Sequence, residues 1–149
     1  MKKSRVLLSL LLLCISVGSV AVASDSAEDA IRAVVEEAYV RGIHIDRDPD
    51  AIRSGFHESF VMLVRADEGV SKVTRDEWIA NIEKSNATVP DRPKTKIDHR
   101  FKLVDVTGRA AVVKIEIDRD GTHVFTDYMS LYRTDDGWKI VGKIFFRHP

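Results

Sequence analysis

The stretch from His123 to Thr134 holds the residues of this chain best placed to do chemistry. Read as a strand, it alternates two faces: Thr126, Tyr128, Ser130 and Tyr132 share one, and Phe125, Asp127, Met129 and Leu131 share the other. The second face is apolar except for Asp127. A carboxylate among such neighbours is disfavoured in its ionised form unless it is paired. Such an acid becomes either a general base with a raised pKa or, more commonly, a structural acid bonded to a buried Lys, Arg or Tyr. Among the histidines, His57 stands where a short helix turns into a strand, placed to move a proton or bond a ligand. His44, His99, His123 and His148 read as solvated or capping residues. Asp127 and His57 are therefore the candidate catalytic pair, should the protein be an enzyme.

Two aromatic side chains complete the candidate site. Tyr39 falls on the apolar face of one helix and Trp78 on that of another. Such walls suit a flat ligand and also suit an ordinary core. The candidate ligand-binding set is Tyr39, His57, Trp78, Asp127 and Tyr128. No metal is expected, since the chain has no His-x-His or His-x-x-x-His spacing and its one cysteine, Cys14, lies in the leader described below. Nor is a cofactor: there is no phosphate-binding Gly loop, dinucleotide fingerprint or Gly-x-Ser-x-Gly elbow. The charged runs Asp46 to Arg53 and Glu116 to Asp120 read as solvated faces.

The elements that must position these residues follow from periodicity. Ser24-Asp25-Ser26 caps a helix in which Ala27, Ala30, Ile31, Val34, Val35, Ala38 and Tyr39 recur at helical spacing, ending near Gly42. Pro49 opens a second, short helix that runs to about Phe56. Ser59 to Ala66 is a strand, and Thr74 with Glu77 forms a capping box for a third helix that frays by Asn86. The stretch Thr88 to Lys96, with two prolines, is a loop. Four runs then alternate between turns: Ile97 to Thr107, Ala110 to Arg119, His123 to Thr134 and Trp138 to His148. Their short turns predict an antiparallel meander, and helices followed by strands predict an α+β domain.

Lys2, Lys3 and Arg5 precede an apolar run and the small residues Ala21-Val22-Ala23. This is the order of a bacterial export signal cut after Ala23, giving a leader over 1–23 and one domain over 24–149. Export predicts a periplasmic or secreted protein with no membrane attachment once the leader is removed. Cleavage also removes Cys14, so the domain is held by its core and sheet without a disulfide. It leaves 20 basic against 23 acidic side chains, a poor balance for binding nucleic acid.

Three segments carry a resemblance to a known family. They are AVVEEAYVRGIHIDRDPDAIRSGFHESFVML (Ala33 to Leu63), VTRDEWIANI (Val73 to Ile82) and FTDYMSLYRTDDGWKIVGKIFFRHP (Phe125 to Pro149). Together they resemble the nuclear transport factor 2-like superfamily, in the branch called putative lumazine-binding. The resemblance implies a cone: a curved antiparallel sheet packed on about three N-terminal helices, with a pocket whose mouth lies near His57. It also implies a homodimer formed through the sheet. The superfamily includes binding modules as well as ketosteroid isomerase and SnoaL-type cyclases. The expected function is an exported module that holds a partly apolar or heteroaromatic small molecule. Two alternatives stay open: an enzyme abstracting a proton next to a carbonyl, and a structural protein whose cone is filled by side chains. Fold alone does not choose among them.

Overall fold

The computed structural model describes the backbone of residues 20–149 and the side chains of residues 26–149, so nearly all of the expected leader lies outside the described residues. Helix α1 (Val20–Val34) continues without a break into a wider, π-wound stretch (Val35–Ile45). Then come α2 (Pro49–Gly55), strands β1 (Phe56–Arg65) and β2 (Val70–Thr74), and α3 (Arg75–Thr88). The rest is the expected meander: β3 (Ile97–Thr107), β4 (Ala110–Arg119), β5 (Thr122–Thr134) and β6 (Gly137–Arg147). No helix among the described residues is long and apolar enough to cross a membrane.

The short helices start where their caps put them. Asp48 accepts a bond from the Asp50 amide at 2.9 Å, and Pro49 occupies the first turn, where its missing N–H costs nothing. At α3 the Glu77 amide donates to the Thr74 hydroxyl at 3.3 Å, and the Thr74 amide donates to the Glu77 carboxylate at 2.8 Å. The first helix departs from expectation at both ends. It runs back through Ser24 to Val20, a stretch with no Gly or Pro to stop it, and forward past Gly42 to Ile45.

The strands lie in the order β2-β1-β6-β5-β4-β3. All neighbours are antiparallel except β1 and β6, which run parallel. The sheet is therefore curved, open and mixed, where a wholly antiparallel one was expected. Strand β2 was not anticipated. It is short and exposed, with one partly covered valine, and what defines it is backbone pairing with β1 at the sheet edge. Tyr39, Ile31 and Ile52 from the helices meet Phe56, Phe60, Ile115, Ile117, Met129 and Leu131 from the concave face of the sheet, all essentially without solvent contact. This core fixes the helices against the sheet.

The closest helix approach uses a glycine. At Gly55 an added Cβ would collide with the Cβ of Ala38, whereas at Gly142 it would meet only the Val61 carbonyl at an ordinary 3.8 Å. Gly55→Ala is expected to lower unfolding free energy by about 1–3 kcal/mol in urea titrations, and Gly142→Ala to stay within about 0.5 kcal/mol of wild type. Equal effects at the two positions would show that α2 is not tightly docked on the first helix.

Candidate functional site

Two local irregularities build the site. The first is the π-winding of Val35–Ile45, visible in the bond from the Asp46 amide to the Arg41 carbonyl at 2.8 Å. In an α-helix, residues five apart are turned by about 140° from one another. With i→i+5 bonding they come to share a face. Tyr39 and His44, five apart, thus meet edge to face with ring centres 4.8 Å apart.

The second irregularity is a bulge in β6. Ser130 pairs with Gly142 but Leu131 pairs with Ile140, so Val141 is an extra residue. An extra residue reverses which face the following side chains occupy. Strict alternation from Trp138 and Ile140 would point Gly142 and Ile144 inward. Instead Lys143 is buried and Phe145 half-buried inside, while Ile144 is exposed outside.

Lys143 meets Asp127 there. The Tyr39 hydroxyl donates to one Asp127 oxygen at 2.6 Å, the Lys143 ammonium donates to the other, and it also donates to the Tyr39 oxygen at 3.2 Å. The ammonium lies 4.5 Å from the ring centre of Phe145, 5.0 Å from that of Tyr39 and 5.8 Å from that of Trp78. Cation–π attraction from three rings and the carboxylate together replace the lost water. Asp127 is fully enclosed, with both carboxylate oxygens engaged.

Above this knot opens a cleft of about 330 Å³ between the helices and the concave sheet. Trp78, Met62, Ile82, Phe125 and Phe145 form its apolar walls, and His44, Arg47, Asn81, Arg119 and Lys143 its polar ones. Three grooves are larger: about 550 Å³ beside Trp138, about 660 Å³ over the outer sheet around Tyr128, and about 550 Å³ adjoining the cleft past Arg47 and Arg119. None holds a set like the buried, mutually bonded polar side chains of the knot, so chemistry assigns the site to the cleft. No group of three or more His, Cys, Asp or Glu among the described residues could hold a metal ion.

Of the candidates read from sequence, the structure brings Tyr39, Trp78 and Asp127 together. Two lie apart. His57 is on β1 outside the cleft, with its Nδ1 bonded to the Ser59 hydroxyl at 2.7 Å, because the strand begins at Phe56 and the inward positions there are Phe56 and Phe60. Tyr128 is on the outer face of the sheet, 45% exposed, as its alternation from Asp127 requires. Four residues were missed: His44, Lys143, Arg47 and Arg119. The sequence reads His44 as a solvated or capping residue and places the two arginines in solvated runs, yet all three line the cleft.

The electrostatics follow from burial. Desolvation, and then the Asp127 charge, push the Tyr39 phenol well above its usual pKa, so it remains a donor. Burial lowers that of Lys143 against the opposing pull of Asp127. For His44, burial first and then Lys143, Arg119 and Arg47 lower the pKa from 6.5 to about 3. The ring is therefore neutral, and since Arg119 can only donate, at 3.3 Å to Nδ1, the proton sits on Nε2. Nε2 is sealed from solvent with no hydrogen-bond partner.

Two consequences are measurable. A depressed histidine pKa means that below 6.5 the unfolded chain takes up a proton which the folded chain refuses until about pH 3. Folding stability should fall with decreasing pH across that window, and His44→Asn should remove up to about 1.4 kcal/mol per pH unit of that slope in urea titrations. An unchanged slope would refute a neutral buried His44. Asp127→Asn, which strands the Lys143 ammonium, should cost about 3–5 kcal/mol, with much of it recovered in Asp127→Asn/Lys143→Met. A single-variant cost below about 1 kcal/mol would show that the pair is not structural.

Comparison with known proteins agrees with this architecture. The family model described as "Putative lumazine-binding" matches residues 26–146. Among solved structures, the chain is similar to an NTF2-like protein of unknown function from Silicibacter pomeroyi DSS-3, at 22% identity and TM-score 0.68, covering 84% of this chain and 98% of that one. It is also similar to an NTF2-like protein of unknown function from Shewanella baltica OS155, at 19% identity and TM-score 0.67, covering 89% and 99%. A domain of unknown function with a cystatin-like fold from Nostoc punctiforme PCC 73102 aligns at 19% identity and TM-score 0.60, covering 83% and 78%. No curated protein matches. With its family model spanning nearly the whole described domain, the chain belongs to the putative lumazine-binding family and has the nuclear transport factor 2-like fold.

Proposed function

We propose that this protein is an exported binding module that holds a partly apolar or heteroaromatic small molecule in the cleft beside Tyr39, Trp78 and His44. The observation that carries the reading is the cleft itself: about 330 Å³, within the range of ligand sites, with aromatic walls and a polar network fixed before any ligand arrives. A cone filled by its own side chains would leave no such space. Proton abstraction would need a free base, and Asp127 has both oxygens held while His57 lies outside the cleft. Binding is therefore the better supported function.

The same reading pairs two copies across the outer face of the sheet. Leu103, Val112, Tyr128, Ile144 and Phe146 are each 45–58% exposed there. That much apolar surface on one face favours burial against a second copy. The wild-type chain should give a dimer mass by light scattering, and Tyr128→Glu/Ile144→Glu a monomer. A monomeric wild type would remove this part of the reading.

Native mass spectrometry of protein recovered from the periplasm tests the ligand. A small-molecule adduct is expected, and Asn81→Trp, which blocks the cleft from the exposed side of α3, should lose it. Absence of an adduct across several growth conditions, or its persistence in Asn81→Trp, would sink the binding reading. Recovery only from the cytoplasm would refute export.

A further inference from the structure

Arg47 and Arg119 both face the cleft and an adjoining groove that Arg92 and Lys94 also line. Side chains of this charge are ordinarily matched by carboxylates, and here the nearby carboxylates are committed elsewhere. Asp46 is held by Arg41 at 3.1 Å, Asp118 by Arg100 at 3.0 Å, and Asp120 accepts from the Lys96 amide at 2.9 Å. Among the described residues, Arg47, Arg92 and Arg119 make no ion pair. Lys143, the remaining cation of the cleft, is neutralised by Asp127.

Two of these guanidiniums are held in place. Arg47 adopts a left-handed backbone with φ 53°, a conformation that non-glycine residues rarely take and that clusters at functional sites. Asn86 clamps it from α3: the Asn86 amide donates to the Arg47 carbonyl at 2.9 Å, and Arg47 Nε donates to the Asn86 oxygen at 3.0 Å. The clamp uses Nε, and among the described residues the terminal nitrogens of the fork make no hydrogen bond to protein. Arg119 lies over the Phe125 ring at 5.4 Å and gives one Nη2 bond to His44. Both arginines are partly buried. Burial, then repulsion from Arg92 and Arg119, lower the Arg47 pKa, which marks an uncompensated positive field. The same cleft is lined by Trp78, Phe145, Met62 and Ile82.

We infer that the cleft takes a small aromatic anion, its ring against Trp78 and Phe145 and its carboxylate or similar acid group on the free nitrogens of Arg47 and Arg119. The inference rests on the binding reading above and adds the charge and orientation of the ligand. A planar acid group matches the guanidinium fork in both geometry and charge, and supplies the negative charge that the walls lack.

The test uses 2-naphthoate and 2-naphthamide, which share one ring system and differ in charge, followed by the indole N–H signals of Trp78 and Trp138 in NMR titrations. The naphthoate should shift Trp78, leave Trp138 unmoved, and bind about tenfold or more tighter than the amide, with the gap widening at low salt. Arg47→Asn, a residue that tolerates the left-handed backbone, and Arg119→Gln should each weaken naphthoate by about fivefold or more and leave the amide within about twofold. Arg119→Lys, which keeps the charge without the fork, should fall between, and guards against a folding defect in Arg119→Gln. If both probes shift Trp78 equally, the anion inference is overturned while the cleft reading stands. A naphthoate preference that survives both arginine substitutions overturns the assignment to these residues. If neither probe moves Trp78, the cleft reading falls, and the inference with it.

Discussion

The buried bond set of Lys143, Asp127 and Tyr39 is the constraint around which the molecule is arranged. Taking an ammonium and a carboxylate out of water costs several kcal/mol per ion unless every donor and acceptor is answered. Here the answers come from three parts of the chain: the phenol from the first helix, the carboxylate from β5 and the ammonium from β6. Any shift of the helix relative to the sheet would leave one of them unpaired. The aromatic rings around Lys143 stiffen the arrangement, and one of them, Trp78, comes from α3. A single polar contact thus fixes the first and third helices and the two central strands of the site, and with them the floor of the cleft.

Neither His44 nor Lys143 could face the cleft from a regular element. The π-winding turns His44 toward the face that Tyr39 occupies, and the bulge at Val141 turns Lys143 inward where strict alternation would have placed Ile144. Both are small departures that change direction without changing connectivity. Each sits at the site, where such irregularities are commonly retained because they aim a side chain. His44 carries the consequence: enclosed among Lys143, Arg119 and Arg47, it stays neutral and accepts from Arg119.

The cleft above is chemically lopsided. Its walls combine aromatic and aliphatic side chains with guanidiniums that make no ion pair among the described residues. The acid embedded in the concave face has both carboxylate oxygens bonded in the floor, one to Tyr39 and one to Lys143. Fold alone does not fix function, so function must be read from these walls.

Much of the fold was legible in the sequence because it rests on local rules. The capping box at Thr74 and Glu77, Pro49 at a helix start, and turn residues between alternating runs placed α2, α3 and β3 to β6 within a few residues of where they lie. Tyr39, Trp78 and Asp127 could be found as apolar-face residues of regular elements. Lys143, His44, Arg47 and Arg119 could not, for a common reason. Their direction depends on a bulge, a wide helical turn, a left-handed residue or the approach of a distant strand, none of which leaves a mark in local periodicity. The sequence by itself determined the helices and strands other than β2, though not both limits of the first helix, and the apolar face that Asp127 interrupts. Only the tertiary structure decided which cation meets that acid and which charged runs turn inward, since a buried charge's partner is selected by convergence in space and by desolvation, not by spacing along the chain.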